Sequence, residues 1–249
     1  MPNTTLDATT QELRRKADRY QEAVNFEAKL QEYKGDASSV RTSIYGLQSR
    51  IEQMERLNSI YTQVFGHETP GVVKDARGHA RQVLDRDEDD YWQIIDEGRA
   101  DQYDAKVQTA KSKADGARQT LRDALNDEQT HWEDRVESAR HIQTLMADSR
   151  EAERLLDDIK GFVTDRMWDG STSISTLQSE WQALERKRES GVMADWEEFQ
   201  HRHGLSDETI SKLKQLSEGQ DVSLASLDRS VVAELYGVDD LRNALSLTL

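Results

Sequence analysis

The chain has 249 residues, of which 35% are hydrophobic and 33% charged, with 48 acidic against 33 basic side chains and a formal net charge of −15. A field of that sign repels phosphate backbones and disfavours general nucleic-acid binding. The absence of cysteine excludes disulfides, thiolate metal sites and thiol catalysis.

Two prolines, Pro2 and Pro70, leave long stretches free to stay helical, and Gln, Glu, Arg, Ala and Lys fill most polar positions. Period-two alternation and β-branched clusters are scarce. The expected class is all-α: an elongated antiparallel coiled coil or helical bundle with a small C-terminal helical module. Three regions are expected: a coiled-coil hairpin over 1–66, a long helical region over 67–190 and a compact module over 191–249.

Thr9-Thr10-Gln11-Glu12 has capping-box spacing, so the first helix is expected to start near Thr9. Leu13, Ala17, Tyr20 and Val24 give it an apolar stripe, continued less regularly by Phe26 and Leu30. Gly35 and Asp36 are expected to end it and begin the second arm of the hairpin, with Ser38 as an alternative start.

Val40, Ile44, Leu47, Ile51, Met54, Asn58, Tyr61 and Phe65 follow at alternating spacings of four and three. This is the a/d seam of a coiled coil. About 30 residues of such helix form a rod of roughly 45 Å, whose narrow seam must pack on another helix in the same chain or a second one. Asn58 at an a position predicts a register-setting polar residue that costs stability.

Gly66 to Gly71 breaks the helix, with Pro70 as a first-turn proline. Val72, Val73, Ala76, Ala80, Val83 and Leu84 resume the pattern. The acidic run Asp85 to Asp90 lacks the alternation and mid-loop glycine of a calcium site and reads as a solvated face or turn. Tyr103, Val107, Ala110, Ala114, Ala117 and Leu121 form a small-residue seam that implies close helix approach. Its phase drifts through Leu125, Trp132, Val136, Ala139, Ile142 and Met146, and Leu155, Leu156, Ile159, Phe162 and Val163 extend it. Gly98 and Gly116 are candidate bends. Ser171 or Ser173 caps a helix carrying Ile174, Leu177, Trp181 and Leu184, which Gly191 ends. Beyond it the helices are short and punctuated by Gly204, Gly219 and Gly237.

Two Glu-x-x-His pairs, Glu128/His131 and Glu198/His201, have the spacing used in di-iron bundles. Such a centre needs further glutamates from two other helices, and His131 stands beside the seam residue Trp132, which turns it outward. His201 and His203 precede Gly204, where the helix dipole favours imidazolium. No Gly-x-Ser-x-Gly elbow or Gly-Lys-Ser/Thr phosphate loop occurs. No catalytic, cofactor-binding or metal residue is therefore assigned.

Leu205-Ser206-Asp207-Glu208-Thr209, followed by Ile210, Leu213, Leu216, Gly219, Val222, Leu224, Leu227-Asp228, Val231 and Leu235, resembles the C-terminal helical module of large ATPases of BREX-type phage-defence systems. The resemblance covers 205–235, and the ATPase motifs of that family are absent. It implies a tail or accessory piece of an ATP-driven defence or nucleic-acid-processing complex.

The seams and the missing site chemistry give the principal expectation. It is a non-enzymatic coiled-coil adaptor or assembly subunit, binding a protein partner or a second copy without cofactors. A helical-bundle metalloprotein is the remaining alternative. No apolar run is long enough to span a bilayer, and no secretory signal opens the chain, so a cytoplasmic location is expected. The excess of acids, with Arg above Lys and Asp at least as common as Glu, matches proteins of a salt-accumulating cytoplasm.

Overall fold

The computed structural model describes residues 3–85, 93–94, 98–146, 150–189, 195–220, 222, 227–238 and 241. It describes side chains from Arg15 onward, except those of Ala17, Tyr20, Phe26 and Leu30. The protein is all-α, and no strand occurs among the described residues.

Eight α-helices follow in order among the described residues. They are α1 (Asn3–Ser59), α2 (Gly71–Leu84), α3 (Ala100–Gln143), α4 (Arg150–Thr164), α5 (Ile174–Lys187), α6 (Trp196–His203), α7 (Asp207–Ser217) and α8 (Arg229–Gly237). A π-helical turn, Ile60–Val64, continues α1, and a 3-10 turn, Arg166–Trp168, follows α4.

The N-terminal hairpin does not form. Helix α1 runs for 57 residues through Gly35 and Asp36 and starts well before Thr9. Gly35 is not among the glycines with positive φ, so it makes no left-handed cap. One helical glycine costs about 1 kcal/mol, too little to break a run of strong helix formers with no proline. Gly116 is likewise absorbed inside the 44-residue α3. By contrast Gly66, Gly98, Gly204 and Gly219 do adopt positive φ, each outside a helix.

Two compact units replace the linear three-part division. One comprises residues 1–55 and 70–119, the other 56–69 and 120–249. In the first unit, Val40 and Leu47 of α1 meet Val83 of α2, Ile94, and Tyr103, Val107 and Ala110 of α3, with Ile44, Ile51, Leu84 and Ala100 packed around them. Alanines 110, 114 and 117 are buried and let α3 approach closely, as their spacing predicts. The Tyr103 hydroxyl donates to the Val83 carbonyl at 3.0 Å, so the buried phenol has a partner. Polar pairs fix α1 against α3: Ser43 donates to Asp104 at 2.5 Å, and Arg50 bonds Asp115 at 2.9 Å.

The second unit holds two cores. One gathers Ile60 and Val64 of the π turn, Leu125, Trp132, Val136 and Ala139 of α3, five residues of α4, Met167, and Leu177 and Trp181 of α5. Ser173 caps α5 by accepting from the Thr176 amide, as expected. The other core combines Ile142 and Leu145 with Trp196, Phe199, Leu205, Ile210, Leu213, Val231, Leu235, Val238 and Leu241. The C-terminal module thus shares its core with the end of α3. Asp195 and Ser206 cap α6 and α7 through their side chains, and Gly204, with φ 61°, closes α6. Residues 86–90 of the acidic run lie outside the described residues, as do the stripe side chains of Leu13, Ala17, Tyr20, Phe26 and Leu30.

Candidate functional site

The predicted interaction seam is occupied by the chain itself. Val40 and Leu47 are buried in the first unit, with Ile44 and Ile51 packed against the same core, and Met54 is buried as well. Asn58 is buried in the second unit, where Tyr61 and Phe65 pack against the core. Val40, Leu47, Met54 and Asn58 are thus buried by the chain's own residues and Ile44, Ile51, Tyr61 and Phe65 are half-buried, so closure within one chain accounts for at least part of the seam.

Asn58 is 4% exposed and its Oδ1 has no hydrogen-bond partner, the cost expected of a polar residue in a seam. Its carbonyl accepts from the Thr62 hydroxyl at 2.8 Å, inside the π turn that follows. The turn itself left no mark in the spacing pattern. A one-residue widening of a helix, with the Phe65 amide donating to the Ile60 carbonyl, preserves apolar residues on several sides.

The upstream part of α1 is different. From Arg15 to Gly35 every described side chain is exposed, and the first buried residue is Val40. Val24 and Tyr33 are among the exposed large apolar side chains.

The two Glu-x-x-His pairs converge on one region of the second unit but build no metal centre. Glu128 accepts from Trp132 Nε1 at 2.9 Å through one oxygen and meets His67 Nε2 at 3.0 Å through the other. His67 in turn stacks on Tyr61, with ring centroids 4.5 Å apart. Glu198 accepts from Arg135 at 2.8 Å and also from Arg188. Glu128 is thereby committed to an imidazole and an indole, and Glu198 to two guanidinium groups. His131 and His201 are exposed, as Trp132 on the seam requires for His131. Among the described residues, no group of three or more His, Asp or Glu side chains is placed to hold a metal ion.

Trp132 organises this region. Its ring meets Trp181 edge-on at 4.8 Å on the core side. Arg135 lies over it at 4.8 Å and Arg188 at 5.9 Å. Arg135 also bonds Asp195 at 2.8 Å, and Asp195 caps α6 by accepting from the Glu198 amide at 2.9 Å. An open cleft of about 890 Å³ lies beside this clamp, between α3, the start of α6 and Lys214 of α7. Sequence reading found Trp132, Glu128 and Glu198 singly. Their convergence is a tertiary fact with no spacing signature, because Arg135 and Asp195 stand 60 residues apart.

Two half-buried carboxylates are held low by donors. Asp169 accepts from the Thr172 and Ser171 hydroxyls and the Ser171 amide, with Arg166 alongside, and its pKa falls to about 2. Glu234 of α8 accepts from the Thr209 hydroxyl and from the Ser206 amide and hydroxyl, which lowers its pKa and ties α8 to the first turn of α7.

No helix among the described residues is long and apolar enough to cross a membrane. No protein family, characterised protein or solved structure matches this chain.

Proposed function

We propose that this chain is a non-enzymatic helical interaction protein whose partner-binding element is the upstream part of α1, before Val40. The supporting observation is the exposure of every described side chain from Arg15 to Gly35 along an unbroken helix. Intrinsic propensity stabilises a helix only weakly in water, and most helical stability in proteins comes from packing an amphipathic face. A stretch of this length is accounted for by a protein that covers it. The downstream seam, Val40 to Phe65, is spent within the chain and anchors the element instead of binding the partner.

Crosslinking and light scattering of the full chain, with affinity purification from the native host, test this reading. Val24→Asp with Tyr33→Asp is expected to leave the melting temperature within a few degrees and to abolish the captured association. Association that survives both substitutions, or a full chain that is monomeric and captures nothing above a control, would remove the proposal.

A further inference from the structure

The upstream part of α1 carries an inference that rests on the reading above and names its partner. Ala23, Phe26, Leu30, Tyr33 and Ala37 stand three, four, three and four residues apart, and Val40 follows three residues later. They continue the register of the seam without a break, with Ala23, Leu30 and Ala37 at a positions and Phe26, Tyr33 and Val40 at d. The chain itself buries Val40 and Leu47 of this register in the first unit. Ala23 and Tyr33 are exposed, and Ala37 is half-buried.

The charges beside this stretch distinguish how two identical helices could pair, because e and g residues set orientation in a coiled coil. Glu22, Lys29 and Asp36 occupy g positions, and Glu27, Lys34 and Arg41 occupy e positions. Glu22, Glu27, Lys29, Lys34 and Arg41 are exposed, and Asp36 is half-buried. In a parallel pair, g of one heptad faces e of the next. That alignment sets Glu22 against Glu27 and Lys29 against Lys34, two repulsive contacts, with Asp36 against Arg41 as the one attractive contact. In an antiparallel pair, g faces g and e faces e. A two-fold axis between positions 31 and 32 sets position 26 opposite 37 and position 30 opposite 33, each an a residue against a d residue. Lys29 then faces Asp36 and Glu27 faces Lys34, so both contacts are attractive, and the symmetry repeats each of them.

We propose that residues 26–37 of α1 pair with the same residues of a second copy of this chain as a short antiparallel coiled coil. The chain has no cysteine, so one introduced cysteine carries one spin label. Gln31→Cys and Gln21→Cys change exposed residues at b and f positions, outside the stripe. At 1.5 Å rise per residue, labels on two such copies should lie nearly level at position 31 and about 30 Å apart along the axis at position 21. Dipolar spectroscopy of the full chain is expected to return a short distance for the first variant and a long one for the second. Light scattering over a concentration series is expected to show dimers that Glu27→Lys weakens by at least about threefold, by turning its contact with Lys34 repulsive. Adding Lys34→Glu to that variant is expected to restore them. A parallel pair predicts the opposite sign, since Glu27→Lys would then relieve the repulsion from Glu22. Short distances at both label sites, a dimer tightened by Glu27→Lys, or a full chain that stays monomeric would each overturn the proposal. A monomeric chain that still captures a different protein through α1 would overturn this inference and leave the reading above standing, whereas a chain that does neither would remove both.

Discussion

Arg135 faces Trp132 at 4.8 Å while holding Asp195 at 2.8 Å, so a single guanidinium joins the indole at the edge of one core to the cap of the helix that opens the next. The Arg135 side chain is only 20% exposed, so its pairs are less screened than surface ones.

Removing either partner should loosen both cores. Trp132→Ala deletes a buried indole and should cost about 3–5 kcal/mol. Arg135→Ala leaves Asp195 without its ion-pair partner and should cost about 1–3 kcal/mol. Urea denaturation measures both. A loss below about 0.5 kcal/mol for Arg135→Ala, in the range of ordinary surface substitutions, would mean the clamp is ornamental.

Two aspartate substitutions on α1 separate its two parts. Leu47 is fully buried, so Leu47→Asp places an unpaired charge in the first unit's core and should cost several kcal/mol. Val24 is 41% exposed, so Val24→Asp should change stability by less than about 0.5 kcal/mol. Thermal melts of the pair decide. Equal effects would contradict the placement of the seam.

Asn58→Leu removes a buried oxygen that has no partner. Stability should rise by about 1–2 kcal/mol, since an unsatisfied buried group costs that order of free energy. Because the seam closes within the chain, light scattering should show the same assembly state as wild type. A fall in melting temperature would show that the amide has a role the fold depends on.

Acid should weaken two local ties. The Asp169 and Glu234 carboxylates titrate below their ordinary values, so each stabilises the folded state above its unfolded pKa. Each contribution is lost as pH falls through the folded value, for Asp169 down to about 2. Thr172→Val removes the first donor to Asp169, and Glu234→Gln removes the second tie. Both variants should lose less stability than wild type as the solution is acidified below about pH 4, where carboxylates begin to protonate. Acid-unfolding curves that superimpose on wild type would show these networks carry no linkage.

A net charge of −15 makes salt a lever. Screening of carboxylate repulsion should raise the melting temperature between low and molar potassium chloride. An unchanged or lowered value would reject the salt-rich origin suggested by the composition.

The helix class and most buried apolar positions were legible, because burial follows spacing: Tyr103, Val107, Ala110 and Leu121 are all buried, although Ile60, Val64, Ile94 and Met167 fell outside every stripe. A cap was legible where a serine stood at a strong boundary, as at Ser173. Gly35 misled, because a glycine is a possible stop but the energy of its neighbours decides. The fate of the seam was not legible at all. An a/d stripe states that a helix will be covered, and it does not state by which chain. Nor could spacing bring Arg135 to Asp195 or Arg188 to Trp132, since long-range pairing depends on how cores close.

The interleaved division of the chain has a consequence for synthesis. Both pieces of the first unit, 1–55 and 70–119, are complete once residue 119 has been made, whereas the second unit needs 56–69 together with 120–249. At a translation rate of roughly 5–20 residues per second, Arg56 to Thr69 must wait many seconds for the helices that will cover Ile60 and Val64. During that interval the nascent chain carries an uncovered apolar turn. Ribosome-associated chaperones would have a target there, and a truncation before Leu125 would leave the target permanently displayed.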